Sequence, residues 1–234
     1  MNILGAMLIG GLAGAVHVIS GPDHLAAVAP LAVNQKRRPW IAGLYWGVGH
    51  STGVWALALL AILFRAWLPV DAVSSWSERL VGVVLIAIGL WSLRAGLRRQ
   101  MSSFDHEHDG YRHTHVDLPG SPVAPHARES GHRHGHPALG VGALHGLAGT
   151  SHLIGVLPAL VLPSAAAATT YVIGFGLGSV VAMTAFAWVV GLMRTRLERI
   201  GMRAARGLLF MSCFAAIGIG VWWLVAAGGP ASVH

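Results

Sequence analysis

Charged residues are scarce in this sequence. Of its 234 residues only 11% are Asp, Glu, Lys or Arg, while 54% are hydrophobic. An ordinary soluble domain carries about 25% charged residues, so this chain has too few charged side chains to cover a soluble globule. The composition therefore excludes an ordinary soluble enzyme and indicates a membrane protein.

Three further features that the sequence lacks exclude other kinds of membrane protein or segment. Cys213 is the one cysteine, so the chain has no CxxC motif and no internal disulfide, which excludes a dithiol electron carrier. There is no phosphate-binding GxxxxGK[ST] loop, so the chain cannot itself draw on bound ATP. The start, Met1-Asn2-Ile3-Leu4, lacks the positive charge that begins a signal peptide, and we expect the first apolar segment to be retained as a helix.

A membrane-spanning helix needs about 20 mostly apolar residues, and six stretches of the sequence meet this requirement. They run over about 3–33, 41–66, 78–97, 138–163, 168–193 and 205–227. They take up most of the chain and leave no room for a separate soluble domain. We therefore predict an all-α, polytopic membrane protein of six transmembrane helices in contact with the lipid bilayer.

The basic residues lie mostly on one side of the membrane in a six-helix arrangement. The other side holds only Arg65 and Arg79. The basic side holds Lys36, Arg37, Arg38, Arg94, Arg98, Arg99, Arg112, Arg128, Arg133, Arg194, Arg196, Arg199, Arg203 and Arg206. Because loops rich in Lys and Arg stay in the cytoplasm, we predict a multi-pass protein of the cell (inner) membrane with both termini outside. The net charge of +7 thus reflects topology and does not indicate nucleic-acid binding.

A polar segment at residues 100–137 separates two apolar parts of the chain, 1–99 and 138–234. It contains the histidines His106, His108, His113, His115, His126, His132, His134 and His136. It cannot form a hydrophobic core, and we expect it to be cytoplasmic and without regular structure. Its H-x-H pairs suit capture or delivery of metal ions; the alternative is a solvated linker that happens to be rich in histidine.

The two apolar parts resemble each other. Residues 11–17 (GLAGAVH) match residues 146–152 (GLAGTSH) at five of seven positions, and a shorter match pairs residues 47–49 with 174–176. Three helices is an odd number, so the second copy must enter the membrane from the opposite side. This predicts a 3+3 inverted repeat, an arrangement common in secondary transporters, whose sites lie near the midplane between the repeats.

The most informative stretch lies in the first apolar segment and reads His17-Val-Ile-Ser-Gly-Pro-Asp23-His24. Asp23 is the one acidic residue that we place at membrane depth, where a charged group is costly and indicates function. In an unbroken helix the two histidines would stand about 10.5 Å apart along the axis, too far for one ion. Gly21-Pro22 breaks the helix and can fold His17, Asp23 and His24 together.

A structural interpretation of the same stretch is also open. Ser20 and Asp23 have the S-x-x-D spacing of a capping pair for a half-helix that begins at Pro22. In that case the two histidines would only form hydrogen bonds with their neighbours.

Three more histidines are candidate ligands. His50 lies in the second apolar stretch, where a single histidine can also be an interhelical hydrogen-bond partner. His152 occupies the place of His17 in the second copy, as a ligand or a gating residue. His145 lies two turns before His152 on the same helix face.

Imidazole and carboxylate donors without cysteine favour borderline divalent ions and disfavour copper(I), magnesium and calcium. The ion that we expect is nickel or cobalt, with zinc as a third candidate, bound as a substrate. We expect no cofactor. A cytosolic metallochaperone is a further candidate partner.

These motifs resemble those of the nickel/cobalt transporters of the NicO/NiCoT type, especially their short UreH-like members. The family's first signature, a His followed after a short spacer by Asp-His, matches His17, Asp23 and His24, with one more spacer residue than the commonest form. Its second signature, a Gly-His-Ser/Thr patch, matches the sequence around His50. The resemblance covers mainly residues 10–60 and implies that these four residues bind or pass the ion in a transporter, not an enzyme.

The chain also departs from that family. It lacks the extra first helix of the eight-helix permeases and their later acidic signatures, and its His-rich segment is similar to efflux members, so both directions of transport stay open. Two other functions would use the same residues: an intramembrane zinc hydrolase with an open position for water, and an accessory protein that delivers metal to an apo-enzyme. A solvated cavity open on one side would favour the hydrolase, and a site shared between inverted halves would favour transport.

The topology can be tested with reporter fusions. A reporter that is active only in the cytoplasm should be inactive after His234 and active within residues 100–137, because the positive-inside rule places most basic residues on that side. Activity of the fusion after His234 would show that the predicted orientation is wrong.

Overall fold

The computed structural model describes residues 2–35, 37–63, 70–101, 103–108, 111–116, 135–147 and 155–226. Within these residues lie the α-helices α1 (Ile3–Ser20), α2 (Pro22–Asn34), α3 (Trp40–Leu63), α4 (Val70–Met101), α5 (Gly135–Leu147), α6 (Ala165–Ile200) and α7 (Met202–Ala226). A short 3-10 helix (Leu157–Val161) precedes α6. The strands β1 (Ser103–His108) and β2 (Tyr111–Val116) form an antiparallel hairpin.

Among the described residues, four helices are long and apolar enough to cross a membrane: α1, α4 over Arg79–Leu97, α6 and α7. The 24 residues of α3 span about 36 Å, and α5 contains a shorter apolar helix. Large apolar side chains such as Leu4, Leu8 and Leu12 of α1 are exposed, which is favourable where the surroundings are lipid. The predicted all-α, polytopic membrane fold is confirmed, since the described apolar parts of the chain consist of helices.

The hairpin lies in the polar segment that we expected to lack regular structure. Its register pairs His106 with His113 and Phe104 with His115. The backbone groups of the two strands pair with each other, so a composition that cannot form a hydrophobic core does not by itself exclude a hairpin. Residues 117–134 of the same segment lie outside the described part of the chain.

Glycines set the distance and direction of the main helix pairs. Gly10 and Gly14 of α1 lie directly against the main-chain carbonyls of Tyr171 and Phe175 of α6. From the first contact to the second, the residue numbers increase by four in both helices, so α1 and α6 run parallel. Side chains at these glycines would keep the two backbones apart.

The helices α3 and α5 pack in the same way. Gly142 and Gly146 of α5 lie against the carbonyls of Trp46 and His50 of α3, so this pair is also parallel. The remaining pair, α4 and α7, is antiparallel, with facing positions Gly82 and Gly220, and Gly89 and Cys213. Exchanging α1 for α5, α3 for α6 and α4 for α7 reproduces the same packing, as the predicted inverted repeat requires.

This packing gives the repeat a register that differs from the sequence match. Gly146 takes the place of Gly14, because each lies against a carbonyl of its partner helix, whereas the sequence match equates Gly146 with Gly11. Gly and Ala recur at short intervals in both helices, so neighbouring registers look alike in sequence. His152, which the sequence match pairs with His17, lies outside the described residues.

The first predicted span is present as two half-helices, α1 and α2, that pass along α6 in the same direction. Gly10 of α1 lies beside Tyr171 near the start of α6. At the other end, the Arg194 guanidinium donates to the carbonyl of Val33 in α2 over 2.9 Å. Most of α2 is buried, and it packs against α4, α6 and α7. The break thus separates α1, whose large apolar side chains are exposed, from α2, which is mostly buried.

Gly146→Ala should destabilise the bundle. Its Cβ would overlap the carbonyl oxygen of His50, a backbone atom that cannot move freely, and overpacking of this kind costs about 1–3 kcal/mol. Gly140→Ala on the same helix is the matched control, because a Cβ there meets nothing within 4 Å and alanine favours the helix by up to about 1 kcal/mol. Thermal melting in detergent should separate the two variants, and equal melting temperatures would contradict the described packing.

Candidate metal centre

The break in the first span positions three of the candidate ligands. Gly21, which follows α1, has extended backbone angles (φ −88°, ψ 102°). Pro22 starts α2 at a position where its missing N–H would have no helical partner in any case. His17 therefore lies in the last turn of α1, and Asp23 and His24 lie in the first turn of α2, as predicted.

Gly21 also allows the two half-helices to approach each other. Its N–H donates to the His17 carbonyl over 3.0 Å, and its own carbonyl accepts from the N–H of His24 over 3.2 Å. A Cβ at this position would collide with the His24 imidazole. A side chain here would thus displace a candidate ligand.

The structure does not contain the capping pair that the alternative, structural interpretation requires. Among the described residues at the break, no side chain caps α2 with a hydrogen bond, and its N-cap is Gly21. Ser20 Oγ donates instead to the carbonyl of His17 over 3.2 Å. The side chain of Asp23 is directed to histidines. The structural interpretation of this stretch therefore loses its main support.

His24 lies at the centre of a histidine cluster. Its ring centroid is 4.7 Å from that of His17, 4.9 Å from that of His50 and 4.8 Å from that of His145. The rings of His17 and His50 are 5.8 Å apart, and those of His50 and His145 are 5.7 Å apart. Four imidazoles from α1, α2, α3 and α5 thus converge at the break.

Asp23 places its carboxylate between two of these histidines. Its Oδ1 lies 3.1 Å from His24 Nδ1, and its Oδ2 lies 3.4 Å from His145 Nε2. The residue is only 5% exposed, and its place in the first turn of α2 puts the negative charge at the positive end of the helix dipole. A buried carboxylate is costly unless it is paired, and here both oxygens have a partner.

Packing between helices brings His50 and His145 to the cluster. The contact between Gly146 and the His50 carbonyl holds α5 against α3. Ser51 Oγ donates to the carbonyl of Gly176 over 2.8 Å and connects α3 to α6. His50 and His145 are almost completely buried, so these contacts determine where their rings lie.

The donor atoms of the cluster are close enough to hold a metal ion. They form two groups, His17 with His24 and His50, and Asp23 with His24 and His145, within which all ligand atoms lie within 4.8 Å of one another. An imidazole nitrogen lies about 2.0–2.1 Å from a bound divalent metal, so ligand atoms on opposite sides of an ion are about 4 Å apart. Small side-chain rotations would shorten the distances between ligand atoms from at most 4.8 Å to about 4 Å.

The structure brings together five of the six residues that we predicted as ligands: His17, Asp23, His24, His50 and His145. The sixth, His152, lies outside the described residues. The two copies of the repeat therefore contribute unequally to the described cluster, since only His145 comes from the second.

Two aromatic residues beside the cluster were not predicted. The ring of Phe175 lies 5.4 Å from that of His17, and the ring of Trp46 lies 5.9 Å from that of His145. Trp46 precedes His50 by four residues on α3, so the helical period could have placed it on the same face. Phe175 had no such signal, because it meets His17 only through the packing of α6 on α1.

Comparisons with known proteins give relatives for most of the chain. The chain is 32% identical to "Chloroplast protein FOR GROWTH AND FERTILITY 1" and 30% identical to "Chloroplast protein FOR GROWTH AND FERTILITY 2", both of Arabidopsis thaliana, over 91% and 96% of its length. It covers 56% and 57% of those two proteins, and so spans just over half their length. It is 27% identical to "Urease accessory protein UreH" of Bacillus sp. (strain TB-90), over 82% of this chain and 78% of that protein. No solved structure matches.

A family model gives the broadest assignment. It matches residues 6–216, a range that begins in α1, includes all five clustered residues and ends in α7. This family and the apolar helices of the chain agree with a multi-pass membrane protein. The chain belongs to the family described as "Cytochrome C biogenesis protein transmembrane region".

Proposed function

We propose that this chain is a membrane transporter of divalent transition-metal ions, nickel or cobalt, of the NicO/NiCoT type that its motifs resemble. The observation that carries the proposal is the convergence of four histidines and one carboxylate at the broken first span. We take His17, Asp23, His24, His50 and His145 as the residues that bind the ion. His152 and a cytosolic metallochaperone stay in the proposal as a further ligand and a further partner.

The chemistry of the cluster supports a metal ion as the ligand. Neutral imidazoles and a carboxylate are the donors that borderline divalent ions prefer. An imidazole has two ring nitrogens for hydrogen bonds, whereas the ring of His24 lies within 5 Å of three other imidazoles. The negative charge of Asp23 would offset part of the ion's charge in a low-dielectric setting.

Transport fits the site better than hydrolysis or electron transfer. A zinc hydrolase needs a ligand position open to water and substrate, and Asp23, His24, His50 and His145 are each at most 5% exposed. His145 comes from the second copy, so the site is shared between the two halves. Thiol–disulfide electron transfer needs two cysteines, and this chain has only Cys213.

Metal delivery without transport is the second candidate, because one relative is named "Urease accessory protein UreH". Reconstitution of the purified chain in liposomes separates the two functions. We expect uptake of nickel or cobalt into the liposomes, with zinc compared in the same assay. Tight metal binding without any movement across the bilayer would favour the accessory function and contradict transport.

Asp23→Asn should leave folding almost unchanged and reduce metal affinity and transport by at least about 10–100-fold. The amide has nearly the same size but lacks the charge that the neutral histidines cannot supply. Glu198→Gln is the matched control, because it makes the same change in a carboxylate that pairs with Arg194 outside the cluster. Binding of nickel by calorimetry and melting in detergent are the measurements. Normal transport by Asp23→Asn would show that its charge does not hold the ion.

The His-rich segment should matter only when metal is scarce. Replacing residues 104–134 with a Gly/Ser linker of equal length should lower transport at low metal concentration, because it removes a weak capture site. Transport at saturating metal should stay close to normal, since all five clustered residues lie outside the replaced segment. Loss of binding at the cluster in a folded variant would place the ion site elsewhere.

A further inference from the structure

The five clustered residues offer two positions for an ion, not one. Among the described residues, the donor atoms that lie within 4.8 Å of one another fall into the groups His17, His24, His50 and Asp23, His24, His145. The first group is called the imidazole position and the second the carboxylate position. His24 belongs to both, so the two positions lie side by side.

The two positions differ in charge. The imidazole position contains only neutral ligands, so a divalent ion there would keep its full charge in a poorly polarisable setting. In the carboxylate position Asp23 supplies one negative charge. The carboxylate position is therefore the more stable place for the ion.

The two positions also differ in accessibility. His17 is half-buried, whereas Asp23, His24 and His145 are buried. The imidazole position takes its ligands from the first three-helix copy alone, and the carboxylate position needs His145 of α5 from the second copy. The imidazole position is thus the more accessible, and the carboxylate position is complete only while α5 lies against α3.

We propose that the ion occupies these two positions in turn, and passes from the imidazole position to the carboxylate position while it stays bound to His24. The inference rests on the proposed transport function and adds a route within its ion site. During the step His17 and His50 are exchanged for Asp23 and His145. Because His24 remains bound, the ion never loses all of its protein ligands.

The shared ligand also limits occupancy. Two divalent ions at neighbouring positions would repel each other at low dielectric, and both would need His24, which as a neutral imidazole has only one unprotonated ring nitrogen. The cluster therefore holds one ion at a time. The full chain should bind one ion in the cluster even though it has donors for two positions.

Cobalt(II) binding to the purified full chain, with the His-rich segment replaced as above, tests the two positions. Its visible absorption depends on the ligand set, so it distinguishes them. His24→Ala should lower affinity at least about 100-fold, because it removes a ligand of both positions. His145→Ala should lower affinity about 10–100-fold and shift the spectrum, because the ion is left in the imidazole position.

His17→Ala should behave differently. It should lower the affinity much less than His145→Ala does and should keep the spectrum of the carboxylate position, because the ion rests there. Transport of cobalt into liposomes should nevertheless fall by at least about tenfold, since loading through the imidazole position is impaired. His17→Asn and His145→Asn repeat both tests with a polar side chain, in case an alanine variant fails to fold.

Two results would overturn the inference, and they are distinguishable. If the His17 and His145 variants lose the same affinity and give the same spectrum, the cluster is a single site, and the transport function is unaffected. If the unsubstituted cluster neither binds cobalt nor supports its transport, the proposed function fails together with the two positions.

Discussion

Close contact between glycine faces and main-chain carbonyls is the constraint on which the rest of this structure depends. Gly10 and Gly14 allow α1 to lie on α6, and Gly142 and Gly146 allow α5 to lie on α3. In lipid there is no hydrophobic force between helices, so association relies on such close packing. Without these contacts the rings at the end of α1, in the middle of α3 and at the end of α5 could not meet.

The buried carboxylate of Asp23 is the second constraint, and it explains why the first span is broken. The break at Gly21 places this residue at the positive end of α2 and lets His24 fold next to His17. The carboxylate oxygens are directed to His24 and His145, so a single acidic side chain connects the two copies of the repeat. In a continuous helix His17 and His24 would stay about two turns apart.

The scaffold is repeated, but the chemistry is not. The carbonyls of Trp46 and His50 in α3 correspond to those of Tyr171 and Phe175 in α6. Two glycines of the partner helix lie against each of these pairs. Where the first copy has an imidazole, the second has a phenyl ring, which packs against His17 instead. Packing of this kind depends on backbones and small residues, so side chains beside it can diverge while the symmetry of the helices is kept.

The sequence by itself determined the membrane class, the helix break and the residue types at the site, because apolar length, a Gly-Pro pair and a carboxylate among histidines act locally along the chain. It could not determine the register of the repeat, since Gly and Ala recur too often for a unique match. It also left open a capping role for Ser20 and Asp23 that the structure does not have. Only the tertiary structure decided that His145 faces Asp23 and that Phe175 lies beside His17, because these contacts join distant segments whose distance is set by the packing of helix on helix.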